Sequence, residues 1–163
     1  FYVRNPQNDW IGNVAAGGAG RGFEMDMHWS WYGEDYTYRA NLILPGKSQR
    51  RKEIGAFRSN RAHSNYWQGF RLYHFEQYFN TRNDVEGEGV PVFEDMWAYR
   101  NREHGIYTYN VASPKWAGGH LSDNQWGIVL RAADNIRIED YDIVGSSEVF
   151  KYHTATRSLK LCH

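Results

Sequence analysis

The residues best suited to ligand chemistry lie in an aromatic and acidic run between positions 28 and 38. Its alternating aromatic residues are Trp29, Trp31, Tyr36 and Tyr38. Aromatic faces stack on the apolar faces of sugar rings, and the acids among them can accept hydrogen bonds from hydroxyls, so the run could bind a glycan. The same alternation is typical of a hairpin laid over a sheet, and this structural interpretation is the favoured one.

A second candidate is an acidic, glycine-rich segment that contains Asp84, Glu86 and Glu88. These carboxylates could hold a calcium ion, which prefers several oxygen ligands. Two of them could instead form the carboxylate pair of a glycoside hydrolase. The favoured interpretation is a solvated surface loop. The sequence thus predicts no cofactor, with calcium as the one ion that these acids could bind.

A third candidate is His63, which lies in the segment Arg61-Ala-His-Ser-Asn65. A titratable imidazole could contribute to ligand binding, act as a general acid or ligate a metal. It could equally be a buried, hydrogen-bonded ring, and that interpretation is favoured.

Several asparagines stand beside repeated pairs of glycine and an apolar residue. Asparagine tolerates the left-handed backbone conformation and hydrogen-bonds to nearby backbone groups in turns. Stacked asparagines can also form ladders along an axis. We therefore predict structural turn or ladder roles for Asn13, Asn60, Asn65, Asn101 and Asn124, and for the glycines Gly22, Gly69, Gly105 and Gly127.

The elements that must position these residues repeat along the chain. Residues 13–23 align with residues 60–70, an offset of 47, and the Gly-Ile pair at residue 105 returns at residue 127, an offset of 22. Short alternating strands in a unit of this size cannot bury their own inner face, so such units must stack. The sequence therefore predicts an all-β, parallel β-helix, a solenoid of about 22-residue coils.

The longer spacings between repeats predict two inserted loops. The first is expected within residues 28–54 and the second within residues 78–90. Insertions in solenoids tend to fall on one face, which is often the binding face. Only residues 93–99 show a helical pattern, and they could as well form a strand.

Length and composition exclude several classes of protein. The 163 residues fit one domain over residues 1–163, and 19 basic residues balance 19 acidic ones, which argues against a general nucleic-acid binder. A mean hydropathy of −0.76 without a long apolar run argues against a transmembrane span. The lone Cys162 excludes an internal disulfide. Because the chain starts at Phe1, we expect a processed chain or a piece of a longer one.

Two motifs carry a resemblance to a known family. They are Asn5-Pro-Gln-Asn-Asp-Trp-Ile-Gly-Asn-Val-Ala-Ala-Gly-Gly18 with Gly22-Phe23, and Phe57-Arg-Ser-Asn-Arg-Ala-His-Ser-Asn65 with Gly69-Phe70. Both resemble the β-helix region of the G8-domain family. That family includes the cell-migration-inducing hyaluronan-binding protein, its transmembrane relative and the fibrocystin-like receptors. The resemblance spans nearly the whole chain and is sharpest near its start.

The resemblance implies a right-handed parallel β-helix within a larger extracellular or cell-surface protein. Its expected function is a structural and interaction module that stacks on adjacent coils or on other chains of an extracellular assembly, with polysaccharide as a further ligand. The alternative is a part of a hyaluronan-depolymerising glycoside hydrolase. The resemblance assigns no catalytic residue to this chain, and it leaves open whether a metal is bound.

Overall fold

The computed structural model describes residues 1–3, 8–26, 54–75 and 91–147. These ranges contain strands and connecting turns but no helix, so within them no helix is available that could cross a membrane. The strands are β1 (Tyr2–Val3), β2 (Trp10–Ile11), β3 (Val14–Ala16), β4 (Phe23–Asp26), β5 (Phe57–Arg58), β6 (Arg61–His63), β7 (Gln68–Phe75), β8 (Val92–Tyr99), β9 (His104–Ala112), β10 (Lys115–Ser122), β11 (Trp126–Asp134) and β12 (Arg137–Val144).

The strands form two sheets in which every pairing is parallel. Sheet A has the order β1-β4-β7-β9-β11, and sheet B has the order β12-β10-β8-β5-β2. The short strands β3 and β6 pair with each other, and β6 also pairs with β8. From β7 to β12 the chain visits the two sheets in turn, so each crossover between parallel neighbours is itself a strand of the other sheet. The prediction of an all-β fold with parallel strands is confirmed.

The pairing register varies along the chain. In sheet A, Ile106 pairs with Ile128, which is the offset between the two repeated Gly-Ile pairs. Phe70 pairs with Ile106 at an offset of 36, and Phe23 pairs with Phe70 at an offset of 47. The two longer steps span residues 27–53 and 76–90, which lie outside the described ranges. The two predicted loops fall almost entirely on these residues and therefore stay predictions.

Aromatic side chains form much of the core between the sheets. In sheet A, Phe23 stacks on Phe70 with 5.1 Å between ring centroids. In sheet B, Phe93 lies between Phe57, at 5.4 Å, and Trp116, at 4.3 Å. Phe93 and Trp116 are fully buried, and full burial of a large apolar side chain stabilises a fold by about 1.5–3 kcal/mol. The aligned register therefore places aromatic rings from successive strands in contact with one another.

Bends in neighbouring strands of sheet B coincide. The residues directly after the paired positions Arg58, Glu94, Ala117 and Glu139 are Ser59, Asp95, Gly118 and Asp140. Their φ angles are 54°, 48°, 67° and 54°, in the left-handed region that Asp and Gly tolerate better than most residues. Each strand thus turns at the same point, which keeps its inward residues in line on both sides of the bend.

Candidate functional site

Most residues predicted to bind a ligand lie outside the described ranges. This holds for the aromatic residues Trp29, Trp31, Tyr36 and Tyr38 and for the acidic residues Asp84, Glu86 and Glu88. Their predicted roles stay predictions. Among the residues that the structure does describe, no three His, Cys, Asp or Glu side chains come together to hold a metal ion.

His63 is the predicted ligand-binding residue that the structure describes. It ends strand β6 and pairs in register with Tyr99 of β8, and the two rings stack with centroids 4.7 Å apart and planes 9° apart. Its Nδ1 lies 3.3 Å from the Ser64 hydroxyl. The ring is half-buried, so its surroundings are those of a stacked, hydrogen-bonded imidazole.

The asparagines lie in two rows that run across the strands. In the longer row, the Asn101 Oδ1 accepts hydrogen bonds from the backbone N and the Nδ2 of Asn65, at 3.2 and 3.0 Å. Asn124 receives the same pair of bonds from Asn101, both at 3.0 Å. In the shorter row, the Asn60 Oδ1 accepts from the backbone N and Nδ2 of Asn13. Each buried amide therefore connects one turn of the chain to the next.

Three of the predicted glycines lie where backbones approach closely. A Cβ on Gly69 would lie 2.8 Å from the Gly105 carbonyl oxygen and 3.0 Å from the Ala98 Cβ. Gly22 and Gly105 show the same crowding against the next glycine in the row. Gly127, at the last position, meets only a side-chain methyl of Ile143, at 3.1 Å. The row leaves no room for a side chain beside the asparagines.

A groove of about 510 Å³ runs along the outer face of sheet A. Alternation along β7 creates it, since Phe70 and Leu72 are buried whereas Arg71 and Tyr73 face outward. The parallel register then places Glu24, Arg71 and Tyr107 side by side in one outward row. The groove is lined by Arg21, Gln68, Arg71, Glu103, His104, Tyr107, Trp126, Val129 and Arg131.

Two arginines at one side of the groove share a carboxylate. The Glu24 Oε2 lies 3.0 Å from Arg21 and its Oε1 lies 2.6 Å from Arg71. The guanidinium groups also contact aromatic rings, Arg21 over Trp67 at 4.6 Å and Arg71 over Tyr73 at 4.1 Å. Such contacts hold each planar guanidinium in a fixed orientation with donors available to a ligand.

A hydrogen-bonded chain crosses the floor of the groove. Arg21 Nε donates to the Gln68 Oε1 at 2.9 Å, and the Gln68 Nε2 donates to Glu103 at 2.8 Å. The same Nε2 lies 3.4 Å from His104 Nδ1, and the Glu103 Oε2 lies 3.5 Å from that nitrogen. Burial lowers the pKa of His104 from its ordinary value of 6.5, and the charge of Glu103 opposes this shift only in part. The surroundings of His104 therefore favour its neutral form.

The remaining wall of the groove is aromatic. The Tyr107 and His104 rings lie 5.1 Å apart, and Trp126 on the edge strand β11 is 46% exposed. Arg131 lies over the Tyr109 ring at 5.7 Å and has no ion pair with any carboxylate that the structure describes. Aromatic faces beside fixed polar donors are the composition of sites that bind sugar rings, which have apolar faces and a hydroxyl-bearing rim.

Sequence reasoning did not find this groove. Its residues come from the three strands β7, β9 and β11 and from the turns before β4 and β9. They meet because successive register partners are offset by 47, 36 and 22, which no local motif reveals. The outward positions of the repeated strands were the available signal. Arg71 follows the Gly69-Phe70 pair, and Tyr107 follows Gly105-Ile106 in the same way.

Comparison with known proteins gives two matches. Residues 1–70 match the family model described as CEMIP beta-helix. The chain is also similar to Fibrocystin-L of Mus musculus, at 28% identity over 158 residues that cover 82% of this chain and 3% of that protein. The chain thus spans only a small part of the length of this relative. No solved structure is significantly similar to this chain. The two matches confirm the resemblance of this chain to the CEMIP β-helix and to the fibrocystin-like receptors.

Proposed function

We propose that the chain is one segment of a right-handed parallel β-helix with coils of about 22 residues, and that it is an interaction module of an extracellular or cell-surface protein. The register supports the coil size, since Ile106 pairs with Ile128 in sheet A and Trp116 with Ile138 in sheet B, at the same offset. The right hand follows the rule for crossovers between parallel strands. The two longer steps leave enough chain for the two inserted loops that this proposal includes.

The end of this segment at β12 supports stacking on further coils or on other chains. Ile138 and Ile143 of the edge strand β12 are 39% and 53% exposed, whereas their register partners Trp116 and Leu121 are fully buried. These edge residues face the same way as buried core residues and lack only a covering layer. The edge of β12 that pairs with no strand in the described part of the chain also offers backbone donors and acceptors to a further parallel strand.

The groove on sheet A supports glycan binding as the activity of the module. The observation that carries this proposal is the combination of the exposed Trp126, the Tyr107 ring and the fixed guanidinium of Arg71 in one open cleft. The aromatic faces stack on sugar rings, and the guanidinium and amide donors bind hydroxyl or carboxylate oxygens. Open strand-lined grooves of this kind suit an extended polymer, because both ends of the ligand can run into solvent.

A pair of matched tryptophan variants tests glycan binding. Trp126→Ala removes an exposed ring from the groove, and Trp97→Ala removes a ring of similar exposure, 37%, from the outer face of sheet B. Binding of hyaluronan oligosaccharides and of a panel of uncharged oligosaccharides is measured by calorimetry. We expect at least a tenfold loss of affinity for the bound glycan in Trp126→Ala and no loss in Trp97→Ala. Equal losses in both variants, or no binding to any glycan by the unaltered chain, would overturn the proposal.

Hydrolysis of the glycan is less well supported than binding. The carboxylates at the groove that the structure describes are Glu24 and Glu103, and both already accept hydrogen bonds from neighbouring side chains. A glycoside hydrolase needs one carboxyl group to donate a proton and a second to attack or to activate water. Glu24, held by two arginines, is poorly placed to donate a proton. Release of reducing ends from hyaluronan by this chain would establish the hydrolase instead.

A further inference from the structure

The amide of Gln68 at the floor of the groove has only one orientation that satisfies its neighbours. Arg21 Nε can only donate, so the atom of Gln68 that faces it must be the oxygen. The Nε2 must then face Glu103, to which it donates, and His104 Nδ1, at 3.4 Å. The His104 Nδ1 therefore faces an N–H donor and must be unprotonated, with the ring proton on Nε2.

Protonation of His104 is incompatible with this arrangement. It would give the imidazole ring a second N–H group, at Nδ1. That N–H would point at the Gln68 Nε2, which is also a donor. The Glu103 Oε2 already lies 3.5 Å from Nδ1 and can accept the new proton's hydrogen bond by a small rotation. That rotation withdraws the carboxylate from Gln68 and leaves the amide donors of Gln68 free to face the groove.

We propose that protonation of His104 transfers Glu103 from Gln68 to His104, and that this rearrangement strengthens the binding of acidic glycans in the groove as the pH falls. The inference rests on the proposed function of the groove. It adds one positive charge and two released amide donors to the site, at the point where the ligand contacts the floor.

The surrounding charges favour the same direction. Among the residues that the structure describes, six titratable or charged groups face His104 or the groove around it. They are Arg21 before strand β4, Glu24 on β4, Arg71 on β7, Glu103 and Tyr107 near His104, and Arg131 on β11. With His104 neutral, three arginines against two glutamates leave one positive charge, and protonation makes it two. One extra charge about 5 Å from a ligand carboxylate corresponds to a gain in affinity of about three- to fivefold in water.

The rearrangement itself is tested without a ligand. The side-chain amide resonances of Gln68 and the ring resonances of His104 are followed by NMR between about pH 7.5 and about pH 5. We expect the Gln68 amide to shift with the same midpoint as His104, and this shift to vanish in His104→Gln. Gln68 resonances that ignore the titration of His104 would overturn the proposal, whatever the ligand does.

The coupling to binding is tested with a hyaluronan oligosaccharide, whose carboxylates stay ionised over this range. We expect the affinity of the unaltered chain to rise about three- to fivefold on acidification, and that of His104→Gln to stay constant. The matched control is His120→Gln on sheet B, outside the groove, which should keep the full rise. A rise that survives in His104→Gln would overturn the proposal. Absence of oligosaccharide binding at both pH values would overturn the proposed glycan-binding function and, with it, the coupling of binding to pH. The rearrangement of Glu103 is tested separately, by the Gln68 resonances.

Discussion

Replacement of Asn101 by Ala is the most informative perturbation of the asparagine row. The Asn101 side chain is 2% exposed and accepts hydrogen bonds from the backbone N and Nδ2 of Asn65. It also donates to the Ala62 carbonyl at 3.1 Å and to the Asn124 Oδ1 at 3.0 Å. An alanine would leave at least the Asn65 backbone N–H and the Ala62 carbonyl without these partners in the protein interior.

The expected cost follows from those orphaned groups. Each buried donor or acceptor left without a partner costs about 1–3 kcal/mol, so two of them predict a loss of about 2–6 kcal/mol in the free energy of unfolding. Asn124→Ala should cost less, since Asn124 is only partly buried and holds one neighbour fewer. Asn8→Ala, at an exposed position, should stay within about 0.5 kcal/mol of the unaltered chain.

Urea unfolding followed by circular dichroism measures all three variants under identical conditions. We expect the loss of stability to be largest in Asn101→Ala, smaller in Asn124→Ala and smallest in Asn8→Ala, with the same slope of unfolding free energy against urea concentration in all three. If Asn101→Ala lost no more stability than Asn8→Ala, the row of amides would not hold successive turns of the chain together, and the reasoning would be refuted.

Two further predictions concern the glycine row and the groove histidine. Gly69→Ala should destabilise the fold by about 1–3 kcal/mol, since its Cβ would meet the Gly105 carbonyl oxygen at 2.8 Å, whereas Gly20→Ala, with nothing within 4 Å, should be nearly neutral in the same urea assay. A comparable loss at Gly20 would contradict this. Folding lowers the pKa of His104 below its ordinary value of 6.5, so the unfolded chain binds the proton more readily than the folded one. The free energy of unfolding should therefore be highest above pH 6.5 and decline as the pH falls below that value. His104→Gln should reduce that decline, and an identical pH profile in a thermal-melting series would count against the buried, neutral imidazole.

The repeated strands could be predicted from local sequence for two reasons. Their apolar and polar residues alternate with a period of two, and their turns favour glycine, asparagine or aspartate. The Gly-Ile pairs at residues 105 and 127 mark strands β9 and β11, which pair with the predicted offset. Residues 93–99, which fit either a helix or a strand, lie within β8. Burial decides between the two, since Phe93 and Met96 face the core on either side of the bend at Asp95.

The groove could not be predicted because it depends on which strands become neighbours. Glu24 and Arg71 are far apart in the chain, at an offset of 47, and only the register of β4 against β7 makes them an ion pair. The position of the ring proton of His104 likewise depends on the orientation of the Gln68 amide, which Arg21 determines from a third segment. Such contacts depend on the long spacings between paired strands. The number of residues between the repeats determines those spacings.

The distance between outward residues at the two edges of sheet A tests the stacked arrangement most directly. Tyr2, Glu24, Arg71, Tyr107 and Val129 are successive register partners, so Tyr2 and Val129 are four strand spacings apart. At about 4.8 Å per spacing, their backbones should lie about 19 Å apart. Double electron–electron resonance between spin labels in Tyr2→Cys and Val129→Cys, with Cys162→Ser to remove the native thiol, should give one narrow distribution near this value once label length is allowed for. A broad distribution, or one centred well beyond the backbone separation plus the reach of both labels, would contradict the stacking of these five strands.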